Sequence, residues 1–267
     1  MSNCRRGADL VDNAGMTSRN ELLRAFDALL QPERLHDYGP NGLQVEGAMR
    51  VRKIVSGVSA SRALIEAAVA AQADTIFVHH GLFWRDQDGR VVGWMKQRLA
   101  LLLAHDINLF AYHLPLDAHP ELGNNAQLGL KLGLKTRSRF GEQELGFMGE
   151  RDDASGFETA ELLAQHVAQR LHRAPTLVGG TNRAIKRIAW CSGGAQGYFE
   201  AAIAAGADAF ITGEISEPQT HYARECGVAY LACGHHASER FGAPAVAAHV
   251  AAQLGLGHEF IDIDNPA

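Results

Sequence analysis

Short apolar runs rich in β-branched residues alternate along this chain with longer stretches of helical spacing. KIVSGV (53–58) precedes an Ala-rich helical stretch over 61–72, and DTIFVH (74–79) predicts a second strand. A helix around 94–104 leads to a third strand, NLFAYH (108–113). The order recurs later as RIAWCS (187–192), a helix over 196–206, DAFITG (208–213), a helix over 218–226 and VAYLAC (228–233). Short apolar strands separated by helices predict βαβ units and largely parallel sheets, hence an α/β fold. The stretch 136–186 offers strands at ELGFMG and PTLVG and a helix over 158–171. Near the start, Ser18 and Glu21 have capping-box spacing ahead of an apolar stripe of Leu22, Leu23, Phe26, Leu29 and Leu30.

Sliding the chain by 134 residues lays IEAAVAAQADTIF over FEAAIAAGADAFI and Asp74 over Asp208. A slide of 122 lays NLFAYHLPLD over YLACGHHASE, with His113 on His235 and Asp117 on Glu239. Each half therefore ends a strand with His-x-x-x-carboxylate, which points to an ancient duplication. The expected organisation is a disordered or over-called extension (1–16), a first α/β half (17–135) and a second (136–267). The C-terminal segment is free to pack back on the first half.

The chain has 267 residues, 25 basic and 30 acidic side chains, and a net charge of −5. Its densest basic knot, Arg183, Lys186 and Arg187, is short, so nothing advertises the clustered cations that nucleic-acid affinity needs. The longest uncharged apolar stretches, such as Leu99–Ala104, fall far short of a membrane span. The first fifteen residues lack the apolar region of a secretory signal. Cys4, Cys191, Cys226 and Cys233 show no CxxC spacing, so reduced thiols and a cytoplasmic location are expected.

The unusual count is thirteen histidines. Three clusters fall where predicted strands end: His79–His80, His113 with Asp117, and His235–His236 with Glu239. In open α/β sheets, ligands sit beyond the carboxyl ends of the strands. Imidazole and carboxylate are the usual ligands of zinc, iron and manganese. Inside a strand, His79 and His80 would point to opposite faces; where the chain turns into Gly81, each could serve a different ion. His235 and Glu239 share a face if a helix begins there, whereas Pro115 argues for loop geometry between His113 and Asp117. Five ligands, His79, His80, Asp117, His235 and Glu239, are too few to saturate two divalent ions. They suffice if a carboxylate bridges, and open positions mark a catalytic site. The competing reading has these histidines capping turns or bonding backbone; three clusters on one rim weigh against it. The other eight histidines have no such context.

SGGAQG (192–197), with Gly193 and Gly194, is a strand-to-helix turn whose N–H groups could cradle a phosphate of a substrate, or simply a tight turn. Glu214 reads as a general base, as a partner orienting a ligand histidine, or as a solvated strand-end carboxylate. His113 and His236 could shuttle protons or complete a ligand shell. Phe83, Trp84 and Tyr112 suit either stacking on a base or the core, and Asn124 and Asn125 are expected to cap the helix that follows. HExxH, GxSxG and CxxC motifs are absent from the sequence.

YGPNGLQVEG (38–47), VHHGLFW (78–84), YHLPLDAHPELGNNAQL (112–128), WCSGGAQ (190–196), ITGEISE (211–217) and GHHASER (234–240) resemble the Nif-three-like dinuclear metal proteins. These are also called GTP cyclohydrolase 1 type 2 homologues, and the resemblance runs from about Thr17 to Ala267. It implies two related α/β halves with two metals between them, held by the paired His79 and His80, by Asp117, and by His235 and Glu239. It also implies a homohexameric ring. Two function classes follow. The first is a two-metal hydrolase opening a C–N bond of a nucleotide or related heterocycle, with Glu239 as the bridging carboxylate. The second is a metal-binding ring that stores, senses or scaffolds without turnover. Nucleic-acid binding through the ring channel would need an inward basic patch that the acidic balance does not advertise.

Overall fold

Each half of the fold is organised round three parallel strands. Lys53–Ser59, Thr75–His80 and Asn108–Ala111 lie side by side in the first sheet. Ile188–Trp190, Ala209–Thr212 and Ala229–Ala232 do so in the second. The computed structural model describes residues 17–180 and 184–267; the extension 1–16, with Cys4, and Arg183 of the basic knot lie outside them. Gly257–Phe260 extends the first sheet, pairing parallel with Lys53–Ser59, and Gly42–Val45 closes the opposite edge antiparallel. The second sheet is flanked by antiparallel strands, Leu134–Phe140 and Gly146–Arg151 on one side and Thr176–Val178 on the other. The architecture is mixed α/β.

Strand alternation explains the layering. Phe77, Phe110 and Tyr112 face the helices Arg19–Leu30 and Gly242–Leu254. Ile76, Val78 and Leu109 face the opposite way, towards the helices Arg62–Ala70 and Gly93–Ala104. The second half repeats the scheme. Ile188, Trp190, Ile211 and Leu231 pack on the helix Ala160–Leu171, while Phe210 and Tyr230 pack on Phe199 and Ala223. Both faces of the parallel core strands are covered, which is why those strands read as continuous apolar runs. Removing one such fully buried ring, as in Phe77→Ala, costs about 3–5 kcal/mol.

The two halves share fine detail. Ile54 pairs with Thr75, and Ile188 with Ala209, at the 134-residue spacing. Asp74 accepts hydrogen bonds from the backbone N–H groups of Arg52 and Lys53. Asp208 accepts the same pair from Lys186 and Arg187. The third strands depart from the sequence alignment. Thr75 pairs with Asn108 but Ala209 pairs with Ala229, and the following helices are Leu114–Ala118 and His235–Glu239. The structural offset is thus one residue less than the 122 that aligns the two His-x-x-x-carboxylate motifs. His113 precedes its helix, whereas His235 begins its own.

Two local expectations are corrected. Pro115 does not impose a loop: it occupies the first turn of the helix Leu114–Ala118, where its missing N–H has no intrahelical partner to lose. The expected helix over 196–206 is a 3-10 turn at Gln196–Tyr198 followed by a helix at Phe199–Ala204. The capping box at Ser18 and Glu21 forms as its spacing implies. Among the described residues no helix is long and apolar enough to cross a membrane, and Cys191, Cys226 and Cys233 are free thiols.

Candidate metal centre

The carboxyl ends of the parallel strands meet between the two sheets. There His79 and His80 finish the strand Thr75–His80. Asp117 stands on the helix Leu114–Ala118, and His235 and Glu239 lie one turn apart on the helix His235–Glu239. Glu239 is at the centre. Its Oε1 is 3.4 Å from His79 Nε2, and its Oε2 lies 3.4 Å from His80 Nε2 and 3.1 Å from His235 Nε2. Asp117 Oδ1 is 3.6 Å from His79 Nε2. The two histidine rings, with centroids 4.4 Å apart, diverge only enough to meet different oxygens of one carboxylate. Three groups have ligand atoms within 4.8 Å of one another and could each hold a metal ion: His79, Asp117 and Glu239; His80, His235 and Glu239; and His79, His80 and His113.

Every one of these imidazoles has its Nδ1 engaged. His79 Nδ1 is 3.2 Å from the Tyr112 carbonyl oxygen, and His80 Nδ1 is 2.9 Å from Ser59 Oγ. His113 Nδ1 lies 2.7 Å from Asp37 Oδ1, and His235 Nδ1 lies 2.7 Å from Glu214 Oε1. An acceptor on Nδ1 leaves Nε2 as the lone-pair nitrogen, the arrangement that orients metal-binding histidines. Asp117 Oδ1 in turn accepts from Asn124 Nδ2 at 2.9 Å and from Ser192 Oγ at 3.3 Å.

The buried atoms His79 Nε2 and Glu239 Oε2 have no hydrogen-bond partner. Orphaned polar atoms buried in a core are costly unless something satisfies them. The charge balance points the same way. Burial opposes a charge on His79, but the carboxylates of Asp117 and Glu239 outweigh it and raise the imidazole to about 9. Burial likewise opposes a charge on His235, and Glu239 and Glu214 raise it to about 9. Burial and the neighbouring His79 push His80 down to about 3. Burial pushes Asp117 up, while Glu239, equally buried, is held well below the usual carboxylate range by His79 and His235. Without a cation, protons must hold this cluster together; imidazole and carboxylate donors of this kind fit a divalent ion in their place.

A cavity of about 200 Å³ opens onto the cluster, with Tyr38, His113, Asp117, Glu142, Ser192 and Tyr198 on its wall.

A family model described as Duf34/NIF3 (NGG1p interacting factor 3) matches residues 17–266. The chain belongs to the DUF34/NIF3 family. It is 50% identical over 252 residues to a Neisseria meningitidis serogroup A protein named GTP cyclohydrolase 1 type 2 homolog, covering 94% of this chain and all of that one. A protein of the same name from Allochromatium vinosum is 49% identical over 259 residues, covering 96% of this chain and 100% of its own. A solved structure described as protein ybgI, of unknown function, superposes with a TM-score of 0.90 at 44% identity, covering 94% of this chain and 100% of the other.

In this NIF3 protein Gly193 is the glycine of the 192–197 turn that close approach requires. Gly193 has φ +68°, and a Cβ there would collide with Glu239. Its N–H donates to Ser238 Oγ, and its carbonyl accepts from Gly213 N and Thr212 Oγ1, so Gly193 itself has no spare donor. Glu214 holds His235, and His236 is turned away to Asp262 at 2.8 Å. Trp84 stands edge-on to His113, outside the cavity wall, while Tyr112 is core. Asn124 and Asn125 are not caps. Gly123 takes the N-cap position, and both amides are buried ties between segments. Sequence reasoning missed these ties along with Asp37 and Ser59. Asp37 stands next to the YGPNG motif, a proximity that could have singled it out, but its bond to His113 spans 76 positions.

Proposed function

We propose that this chain is a dinuclear metal-dependent hydrolase acting on a nucleotide or related heterocycle. The observation that carries the reading is Glu239, whose two oxygens face separate ligand sets: His79 and Asp117 on one side, His80 and His235 on the other. The names borne by its relatives, GTP cyclohydrolase 1 type 2 homologues, support a C–N bond in a heterocycle as the target.

On this reading His79, Asp117 and Glu239 hold one ion and His80, His235 and Glu239 the other, with Zn, Fe and Mn all compatible with the donors. Divalent ions bound in this way supply an acidified water and a Lewis acid for the substrate. His113, fixed by Asp37, presents its Nε2 to the cavity to take a proton from the attacking water and return it to the departing nitrogen. Glu214 acts by orienting His235. The cavity, with Tyr38 and Tyr198 on its wall, would take a base-sized ring, with the remainder of a nucleotide outside it. Assembly into a homohexameric ring and a cytoplasmic location complete the proposal; the ring rests on the family resemblance.

The test is purification without added metal, elemental analysis, and a hydrolysis screen of nucleotides and phosphoesters beside a His79→Ala, Glu239→Ala double variant. About two ions per chain and activity confined to the wild type are expected. Equal activity in both proteins overturns the reading. Full metal occupancy with no turnover across the screen favours the non-catalytic metal ring.

A further inference from the structure

A cavity of about 430 Å³ lies outside the metal centre on the far side of the helix Leu114–Ala118. Pro115 and Ala118 face it, whereas Leu114 and Asp117 line the metal cavity. The rest of its wall is built from the end of the first helix and the edge of the second sheet. Leu29, Leu30 and Leu35 make it apolar, and Arg34 and Arg139 make it cationic, with the His119 imidazole, lowered by burial, beside them.

Arg139 is the informative residue. Its guanidinium lies 4.3 Å over the Phe147 ring, and its Nη2 donates to the Ala118 carbonyl at 2.8 Å. Those contacts fix its orientation, and burial lowers its pKa. Among the described residues, no carboxylate comes within 4.0 Å of the guanidinium of Arg139 or Arg34. The one carboxylate on the wall, Glu144, stays beyond that distance. His119 adds a donor, because its Nδ1 accepts from the N–H groups of Glu121 and Leu122 and its proton is therefore on Nε2. A partly buried, immobilised guanidinium that feels Glu144 only at a distance has lost hydration with no direct ion pair to compensate. An oxyanion would supply what is missing, and the leucines and prolines would take an apolar body.

We infer that this cavity binds a small organic anion, its oxyanion on Arg139 and Arg34 and its apolar part on Leu29, Leu35 and Pro115. The site is independent of the reaction assigned to the metal centre. None of the candidate metal ligands contributes to it.

Calorimetric titration of the full-length, metal-loaded protein tests the inference with three probes. Octanoate carries both features, inorganic phosphate only the charge, and 1-octanol only the chain. Octanoate should saturate a single site per chain, with phosphate and octanol each at least about tenfold weaker, since a charge-assisted hydrogen bond and a buried chain each contribute on that scale. Arg139→Gln should weaken octanoate by about tenfold or more. Arg34→Gln, at an exposed position that disturbs no packing, should weaken it in the same direction, which covers the case of a misfolded Arg139 variant. No saturable octanoate binding, or equal binding by wild type and Arg34→Gln, overturns the inference. Octanol binding as tightly as octanoate overturns the assignment of an anion.

Discussion

A methyl group on Gly193 would overlap Oε1 of Glu239, so the strand-end loop and the shared carboxylate are in direct contact. The loop adopts φ +68° at this residue, which adds a backbone penalty of about 1–3 kcal/mol for any residue with a Cβ. Gly193→Ala should therefore lose metal as well as stability, because Glu239 must move from both ligand sets to make room. Elemental analysis and thermal melts of the purified variant check this. Full metal content in Gly193→Ala would show that the contact does not hold the carboxylate in place.

Asn125 ties three segments together. Its Oδ1 accepts from Ser192 N at 2.8 Å, and its Nδ2 donates to the carbonyls of Asp117 and Leu145. All of these atoms are buried, and each orphan left by truncation costs about 1–3 kcal/mol. Asn125→Ala should destabilise the fold by about 3 kcal/mol or more, among the larger effects of a single substitution. Urea denaturation measures it. A change of only a few tenths would mean that relaxation or water satisfies the freed groups.

The parallel core strands were legible because burial on both faces writes itself as uninterrupted apolar runs such as TIFVHH and AFIT. The five candidate ligands were legible because they sit at the ends of those runs. The edge strands were not: Leu134–Phe140 reads LKTRSRF and is mostly exposed, so it has no apolar signature. Gly257–Phe260 joins the first sheet from the far end of the chain, a pairing that only tertiary structure decides. The orienting residues were hidden for a similar reason. Asn124 and Asn125 at the head of a helix look like caps, and only the nearness of Asp117 and Ser192 turns them into ties. Spacing also misled in one respect. The matching His-x-x-x-carboxylate motifs sit one position apart in the structural repeat, which leaves His113 bound to Asp37 rather than to the carboxylate four residues on, as His235 is to Glu239.

Removing the metals should make stability depend on pH in a direction set by His79 and His235. Both are raised from 6.5 to about 9 in the folded chain by carboxylates that overcome the effect of burial. A raised pKa means that the folded state binds protons more tightly than the unfolded one. The stabilisation is fully present below about 6.5 and is lost as pH rises through about 9. Chelated protein should thus melt at falling temperature across that window, and the metal-loaded protein should change less, its ligands being deprotonated already. Adding metal to the chelated protein near neutral pH should release protons, measurable by pH-stat titration. Metal uptake without proton release would sink this account.

Glu214 separates orientation from folding, since it is half exposed and, among the described residues, its side chain meets only His235 Nδ1 at 2.7 Å and, more distantly, Gln196 Nε2 at 3.4 Å. Losing an outer partner of a ligand histidine typically costs 10–100-fold in metal affinity, so Glu214→Ala should weaken metal binding by about that range. Glu214→Gln keeps an acceptor oxygen in reach of Nδ1 but removes the charge, so it should fall between wild type and Glu214→Ala. The chelated forms should also separate: part of the upward shift of His235 comes from Glu214, and either substitution lowers that pKa. Competition against a chromophoric chelator gives the affinities, and NMR titration of the imidazole in chelated protein gives the pKa. If both variants hold metal as tightly as wild type, His235 is positioned by its helix alone, and Glu214 becomes free to serve as the general base.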